Sequence, residues 1–280
     1  MRLGAPVDAD PLDYAAYAAE LVRQGYRAAQ CPPEVTVNDP DKIRHIKRVY
    51  SERDVMIGEV GAWSNALDPR PEERKKNIEY VAQRLALADE LGARCAVNCV
   101  GSFDLRLNYQ AHPENFTEAC FDAVVEWVRR VLDDVKPGRT KMTLEIAPWT
   151  LLDGPEVYRR LVRAIDHPGL GVHLDPVNAV GDVHTYFSTT SLLEDCFNTL
   201  GEWIVCCHAK DIVKHEDPTT VAFREVAPGK GVMDYRTFLL RCEKLSPDLP
   251  VLMEHLETVE AYREAAEYIR SVARDAGVTI

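Results

Sequence analysis

Short apolar runs alternate with amphipathic helical stretches along the whole chain, and this alternation limits the fold more than any other feature. The strand-like runs are Arg2–Val7, Tyr26–Cys31, Val55–Val60, Cys95–Val100, Lys141–Ile146, Gly171–Leu174, Trp203–His208 and Val251–His255. Helical spacing covers Leu12–Gln24, Asp39–Ser51, Pro71–Leu91, Phe116–Val135, Pro155–Ile165, Ser191–Leu200, Tyr235–Leu245 and Val259–Ala276. The third helix carries Ile78, Val81, Leu85, Ala88 and Leu91 at helical spacing and stops at Gly92, a residue suited to a C-terminal cap. Asp39-Pro40 supplies a cap and first turn for the second helix. Strand–helix pairs in strict succession imply a parallel sheet, and eight of them is the number that closes a barrel. An open doubly wound sheet usually carries a glycine-rich loop after its first strand. Here that loop is Val7-Asp8-Ala9-Asp10-Pro11, with no GxGxxG. The expectation is a single (β/α)₈ TIM-barrel domain spanning residues 1–280.

Composition narrows the partners. A 46% hydrophobic content supplies a core, and no Gly/Ser-rich or Pro-rich tract is long enough to act as a linker. The net charge of −12 repels a phosphate backbone unless a local basic stripe opposes it. The densest basic stretches, Lys42–Arg48 and Arg70–Lys76, are interleaved with acidic or apolar residues and read as solvated helix faces. No nucleic acid is therefore expected as partner. Eight cysteines include no CxxC pair, and Cys206-Cys207 lies inside an apolar run. Met1–Asp8 holds no apolar signal core, and no stretch approaches the roughly 18–20 apolar residues of a membrane span. Reduced thiols in a cytoplasmic protein with no membrane contact fit best.

The chemistry lies in how four strands end. Strand five closes on Glu145, strand six on Asp175, strand seven on His208 and strand eight on Glu254. In a closed barrel these carboxyl ends form the active-site face. A lone Glu after a strand is usually a cap or a surface charge. Four such endings on successive strands are hard to explain by packing, because a carboxylate is almost never fully buried unless paired or bound to metal. Converging carboxylates repel one another and raise each other's pKa values, a conflict that a divalent cation removes. Three oxygen ligands and one imidazole suit Mn²⁺, Co²⁺, Fe²⁺ or Mg²⁺ better than a thiol-rich zinc site, although Zn²⁺ is also compatible. One divalent ion is expected, with Mn²⁺ the first choice.

The ordered set Leu144-Glu145, His173-Leu174-Asp175-Pro176-Val177-Asn178, His208-Ala209-Lys210-Asp211, Pro228-Gly229-Lys230-Gly231 with Asp234-Tyr235, and Met253-Glu254-His255 resembles the xylose-isomerase-like sugar-phosphate isomerase/epimerase superfamily. The resemblance runs from the first strand to the last helix. It implies that Glu145, Asp175, His208 and Glu254 bind one metal and that Glu145 and Glu254 also serve as an acid/base pair. One glutamate takes a proton from the carbon beside a carbonyl, and the other returns a proton to the opposite face. Carbon acids this weak need their developing oxyanion held by a fixed cation. Two bases give epimerisation, whereas one base shuttling between adjacent carbons gives aldose–ketose isomerisation. The substrate expected is a small carbohydrate. Barrels of this type often pair as homodimers, though no residue pattern here is specific for that.

Further residues are weaker candidates. Lys210, two residues past His208, points the same way on a continuing strand and is a candidate to hold a substrate oxygen or an enolate. Asn178 suits orientation of the Asp175 ligand, or a simple helix cap. His173 reads as a core histidine more readily than as a substrate contact. Arg224 and Glu225 precede the Pro228-Gly229 turn and are candidates to close over the pocket. Glu59, Trp63 and Asn98 sit at earlier strand ends, where Trp63 offers a stacking face to a sugar. His255 follows Glu254 and, on a strand, faces away from it. The loops 101–115 and 181–190 are long for βα connections and are expected to shape the pocket. The superfamily's abasic-site endonucleases use extra histidines, and this chain has Asn178 and Asn98 where such residues would be needed. Asn178 also separates it from the well-known ketohexose epimerases. The same first proton abstraction followed by loss of a β-oxygen gives a lyase, as in the superfamily's inosose dehydratases, with Lys210 assisting the leaving group. A non-catalytic sugar-binding barrel is the remaining reading, and it predicts a lost ligand.

Overall fold

The apolar strand bodies are buried because helices cover their outer faces and side chains from the other strands fill the inside. The computed structural model describes residues 1–216 and 219–280. In chain order its strands are β1 (Arg2–Gly4), β2 (Ala28–Gln30), β3 (Met56–Gly61), β4 (Cys95–Cys99), β5 (Lys141–Glu145), β6 (Leu170–Leu174), β7 (Ile204–Ala209), β8 (Asp211–Lys214), β9 (Phe223–Val226) and β10 (Pro250–Met253). All but β8 and β9 form a closed parallel barrel in sequence order, with β10 pairing both β7 and β1. The expected (β/α)₈ barrel is the fold of this chain.

The helices are α1 (Tyr14–Arg23), α2 (Pro40–Ser51), α3 (Pro71–Leu91), α4 (Glu118–Val135), α5 (Pro155–Ile165), α6 (Val183–Tyr186), α7 (Thr189–Leu200), α8 (Tyr235–Leu245) and α9 (Val259–Ala276). Their ends follow from local chemistry. Asp13, Thr117, Asp234 and Thr258 accept the first free amides of α1, α4, α8 and α9. Proline opens α2, α3 and α5, where its missing N–H costs nothing. Gly92 closes α3 at φ 72°, a conformation that favours glycine. None of the described helices is long and apolar enough to cross a membrane.

Several boundaries differ from the sequence reading. The first strand ends at Gly4 rather than Val7, as Pro6 has no N–H to offer a ladder. Helix α4 begins at Glu118, not Phe116, because Pro113–Phe116 forms a 3₁₀ turn and Thr117 takes the cap. Helix α7 begins at Thr189, two residues before the expected Ser191. The last barrel strand stops at Met253, which leaves Glu254 and His255 on the loop beyond it. The antiparallel hairpin β8–β9 was not legible in the sequence, since its strands are short and part-exposed and lack a sustained apolar alternation.

That hairpin is anchored by one carboxylate. Asp211, 1% exposed, accepts backbone N–H bonds from Ile212 (2.9 Å), Gly229 (3.0 Å), Gly231 (3.0 Å) and Met233 (2.9 Å). A Cβ on Gly231 would collide with Asp211 Oδ1 and with the Ile212 backbone, so the turn closes only around glycine. Asp211→Ala leaves these donors without their acceptor. It is expected to lower unfolding free energy by about 3 kcal/mol or more, read by urea denaturation. A loss under about 0.5 kcal/mol would show that the hairpin does not depend on this carboxylate.

Candidate metal centre

Four side chains converge at the carboxyl end of the barrel. Glu145 is the last residue of β5, Asp175 follows β6 directly, His208 lies near the end of β7, and Glu254 follows β10. One ligand atom from each lies within 4.8 Å of the others. His208 Nδ1 is the hub: Glu254 Oε1 lies at 2.9 Å, Glu145 Oε1 at 3.2 Å and Asp175 Oδ2 at 3.9 Å. Asp175 and His208 are fully buried and Glu145 nearly so.

Lys210, 4% exposed, places Nζ 2.7 Å from Asp175 Oδ2, 2.5 Å from Glu254 Oε1 and 3.4 Å from Glu225 Oε1. It is thus brought into the cluster, as its spacing from His208 suggests. Even so, Asp175 Oδ2 and Glu254 Oε1 are buried oxygens with no well-directed hydrogen bond. Carboxylate oxygens in that state are expensive to keep in a protein interior. A hard divalent cation would satisfy both together with Glu145 and His208 Nδ1, so the donor set fits the implied metal.

The electrostatics show the same imbalance. Burial pushes the Asp175 carboxyl up to about 7, and the neighbouring Lys210 ammonium only partly offsets it. Glu254 is less enclosed. Burial raises its carboxyl too, but the His208 and Lys210 charges hold it down at about 2. Burial raises the Glu145 carboxyl, but His208 and Lys210 together hold it below its ordinary value. Burial disfavours the imidazolium of His208, yet Glu59, Glu145 and Glu254 hold its pKa well above the usual value.

The other candidates separate. Asn178 Nδ2 donates to Glu145 Oε1 at 3.1 Å, so it orients Glu145; its own backbone N–H reaches Asp175 Oδ1 at 3.4 Å. Asn98 is 1% exposed, and its amide is used on the backbone of Ser64, at 3.1 and 3.2 Å. Trp63 is 45% exposed, with its indole against Gly61. Glu225 on β9 reaches Lys210, while Arg224, one residue earlier on the strand, is directed to the other side of the hairpin. His173 does not reach the mouth: it is fully buried, with Nε2 2.9 Å from Glu59 Oε2. His255 departs from the expectation that it faces away. Past the end of β10 strand alternation no longer holds. At φ 61° the chain turns His255 Nδ1 to 2.8 Å from Glu225 Oε2 and Nε2 to 3.7 Å from Glu254 Oε2.

One feature escapes a sequence reading and another is legible only in part. Asn115, fully buried, pins the long 101–115 loop: Nδ2 donates to the Gln110 carbonyl (2.9 Å) and the Trp149 carbonyl (2.8 Å), and Oδ1 accepts from Phe103 N–H (3.0 Å). An asparagine inside a long polar loop carries no signal of such a role. Glu59 is not a mouth residue but lies within the barrel, 2% exposed, against His173 and His208. A charge inside the otherwise apolar run Met56–Gly61 is the one signal that marks it. A surface cavity of about 840 Å³ lies between α2 and α3 around Ile43, Lys47, Met56 and Leu91. It contains none of the converging residues, and the chemistry of the side chains, not cavity size, locates the site.

Residues 16–272 match the family described as xylose isomerase-like TIM barrel, and the chain belongs to it. Among solved structures, a xylose isomerase-like TIM barrel protein from Mycobacterium smegmatis in complex with magnesium superposes with a TM-score of 0.69 at 17% identity, covering 98% of this chain and 97% of that one. The 3-keto-D-glucoside 4-epimerase of E. coli gives 0.69 at 15% identity, over 97% and 99%. Endonuclease IV from Thermus thermophilus gives 0.71 at 17% identity, over 99% and 100%. Identities this low establish the fold and leave the reaction to the site's own chemistry. No curated protein sequence matches the chain.

Lys210 makes a test of the cluster's electrostatics. Lys210→Met removes the ammonium and leaves Asp175 and Glu254 facing each other without it. In EDTA it is expected to lower unfolding free energy by about 3 kcal/mol or more, measured by urea denaturation. Wild-type stability in this variant would mean that the lysine does not offset the buried carboxylates.

Proposed function

We propose that this chain is a divalent-metal-dependent epimerase or isomerase of a keto-sugar, with Glu145, Asp175, His208 and Glu254 holding the ion and Glu145 and Glu254 moving the proton. The observation that carries the reading is the pair of glutamates from β5 and the β10 end, both within 3.2 Å of the same His208 nitrogen and so flanking one point. When bound there, a divalent ion supplies fixed positive charge beside the substrate's carbonyl and hydroxyl oxygens, which makes the adjacent C–H acidic enough to lose its proton.

The chain's own residues supply the rest. Asn178 donates to Glu145 Oε1 and so restrains the orientation of that carboxylate. Glu254, held ionised beside His208 and Lys210, is set to take a proton from one face, and Glu145 to return one to the other. Glu225 and His255, paired across the mouth, offer hydroxyl-binding groups above Lys210. Trp63 offers an exposed ring face to an apolar sugar surface. We take Mn²⁺ as the first ion to test, with Co²⁺, Fe²⁺, Mg²⁺ and Zn²⁺ as comparators. A polynucleotide substrate is disfavoured by the net charge of −12 and by Asn178, which serves Glu145 rather than adding an imidazole.

Lys210 supports a second reading. Its ammonium, 2.5 Å from Glu254, is placed to protonate a departing β-oxygen after the same first step, which would make the enzyme a lyase on an inosose or 3-keto-glycoside. The two readings separate in one experiment. Mn²⁺-loaded protein is incubated in D₂O with ketoses, inososes and 3-keto-glycosides, the ion is then stripped by chelation, and the sugars are read by proton NMR. Deuterium beside a carbonyl with the skeleton intact supports the epimerase/isomerase; a new vinylic signal with loss of water or aglycone supports the lyase. Glu145→Gln and Glu254→Gln are each expected to reduce exchange at least ~100-fold. Near-wild-type turnover in either metal-loaded variant would overturn the two-base mechanism.

Metal loading should also depend on pH. The Asp175 carboxyl, raised to about 7, binds a proton below that pH, and the ion must displace it. Because the ion must also displace a proton from His208, whose pKa is held well above the usual value, Mn²⁺ affinity is expected to rise between about pH 6 and pH 8 and to go on rising above it, with protons released to buffer in calorimetry. Affinity flat across this interval would contradict the assignment of Asp175 as a ligand.

A further inference from the structure

Beneath the four converging ligands lies a polar layer that the reaction does not explain. Glu59 on β3 is 2% exposed, and its Oε2 meets His173 Nε2 at 2.9 Å and His208 Nε2 at 3.0 Å. Its Oε1 accepts from Gln30 Nε2 at 3.2 Å. The chain Glu59–His173–His208 thus crosses the inside of the barrel from β3 to β6 and β7, with the exposed Gln30 of β2 meeting it at the edge. The two imidazoles pack edge to face with centroids 4.1 Å apart.

The backbone is shaped around this layer. Pairing shifts register between Ala29 and Gln30 on β2, so that Gln30 comes opposite Glu59, and between Val172 and His173 on β6, so that His173 comes opposite Cys206. Bulges near active sites re-aim side chains, and both of these fall at members of the network. A carboxylate buried without partners is costly, so Glu59 persists there because imidazole and amide N–H groups face it.

A neutral imidazole carries one proton, and whichever nitrogen holds it cannot also ligate a metal. His208 has two very different sides: Nε2 faces the Glu59 acceptor, and Nδ1 faces Glu145, Asp175 and Glu254. We propose that Glu59 is the positioning residue of the metal centre, keeping the His208 proton on Nε2 and so presenting Nδ1 as the ligand atom, with His173 and Gln30 holding the carboxylate in place. His173 is on this account a support for Glu59 rather than a substrate contact. The inference rests on the metal-centre reading above. It adds that the sequence position governing His208 lies on the opposite side of the barrel, 149 residues away.

The test combines tautomer and affinity. In ¹⁵N-histidine-labelled protein loaded with Zn²⁺, the His208 signals, assigned by their loss in His208→Asn, should show a protonated Nε2 and a metal-shifted Nδ1. Glu59→Ala should weaken Mn²⁺ binding about 10- to 100-fold in titration calorimetry. Glu59→Gln, which keeps one oxygen acceptor, should fall between the two. Wild-type Mn²⁺ affinity in folded Glu59→Ala would overturn the proposal while leaving the metal centre standing, whereas protonated Nδ1 in the loaded wild type would overturn both. If neither variant folds, the His208 Nε2–H resonance of the loaded wild type still decides it: a far-downfield, slowly exchanging proton supports its bond to Glu59, and an ordinary shift with fast exchange overturns it. Wild-type protein that takes up neither ion would overturn this proposal and the metal-centre reading together.

Discussion

Holding several carboxylates together away from water is the constraint on which the rest of this structure depends. Glu145, Asp175 and Glu254 meet at one end of the barrel with little solvent, and Glu59 lies in the layer below them. Charges so placed are tolerated only with partners. Lys210 and the imidazole of His208 are the partners this chain provides, and Asp175 Oδ2 and Glu254 Oε1 remain without a well-directed hydrogen bond. A divalent ion is the simplest solution, and the proposed chemistry uses the same positive charge. The features that make the site costly as packing are those that make it useful as a catalyst.

The barrel makes this concentration possible. Parallel strands deliver their last residues to one rim, so residues far apart in sequence meet because they share a position on successive strands. The loops then refine the rim. Asn115 ties the loop after β4 to that after β5, and Asp211 ties the β8–β9 hairpin to the Pro228–Met233 turn, which brings Glu225 toward Lys210. The register shifts between β2 and β3 and between β6 and β7, which leave Gly58 and Val205 unpaired, fall beside the internal layer that reaches His208.

Much of this was legible in the sequence, for identifiable reasons. Periodicity and stop signals mark the strand–helix alternation, because a barrel strand buried on both sides is a continuous apolar run and its covering helix is amphipathic. The residues that converge at the mouth are legible because a strong acid or imidazole at the end of such a run has few packing explanations. What stays hidden depends on geometry beyond the period of two. Alternation places His255 away from the site, but β10 ends two residues earlier and a left-handed turn brings the imidazole back. His173 is the core histidine that its sequence position favours over a substrate contact, but its partner, Glu59 on a strand far off in sequence, is not announced by any local pattern. Asn98 has a strand-end position, yet its amide serves the Ser64 backbone. The hairpin and the Asn115 pin are set by tertiary contacts that no local pattern announces.

The central claim is that one divalent ion sits among four named side chains, and crystallography of Mn²⁺-soaked protein tests it most directly. Data collected on either side of the manganese absorption edge should give one strong anomalous peak per chain, within about 2.0–2.4 Å of oxygens from Glu145, Asp175 and Glu254 and of His208 Nδ1. An anomalous map with no peak at this position, or with its only peak elsewhere on the molecule, would contradict the account.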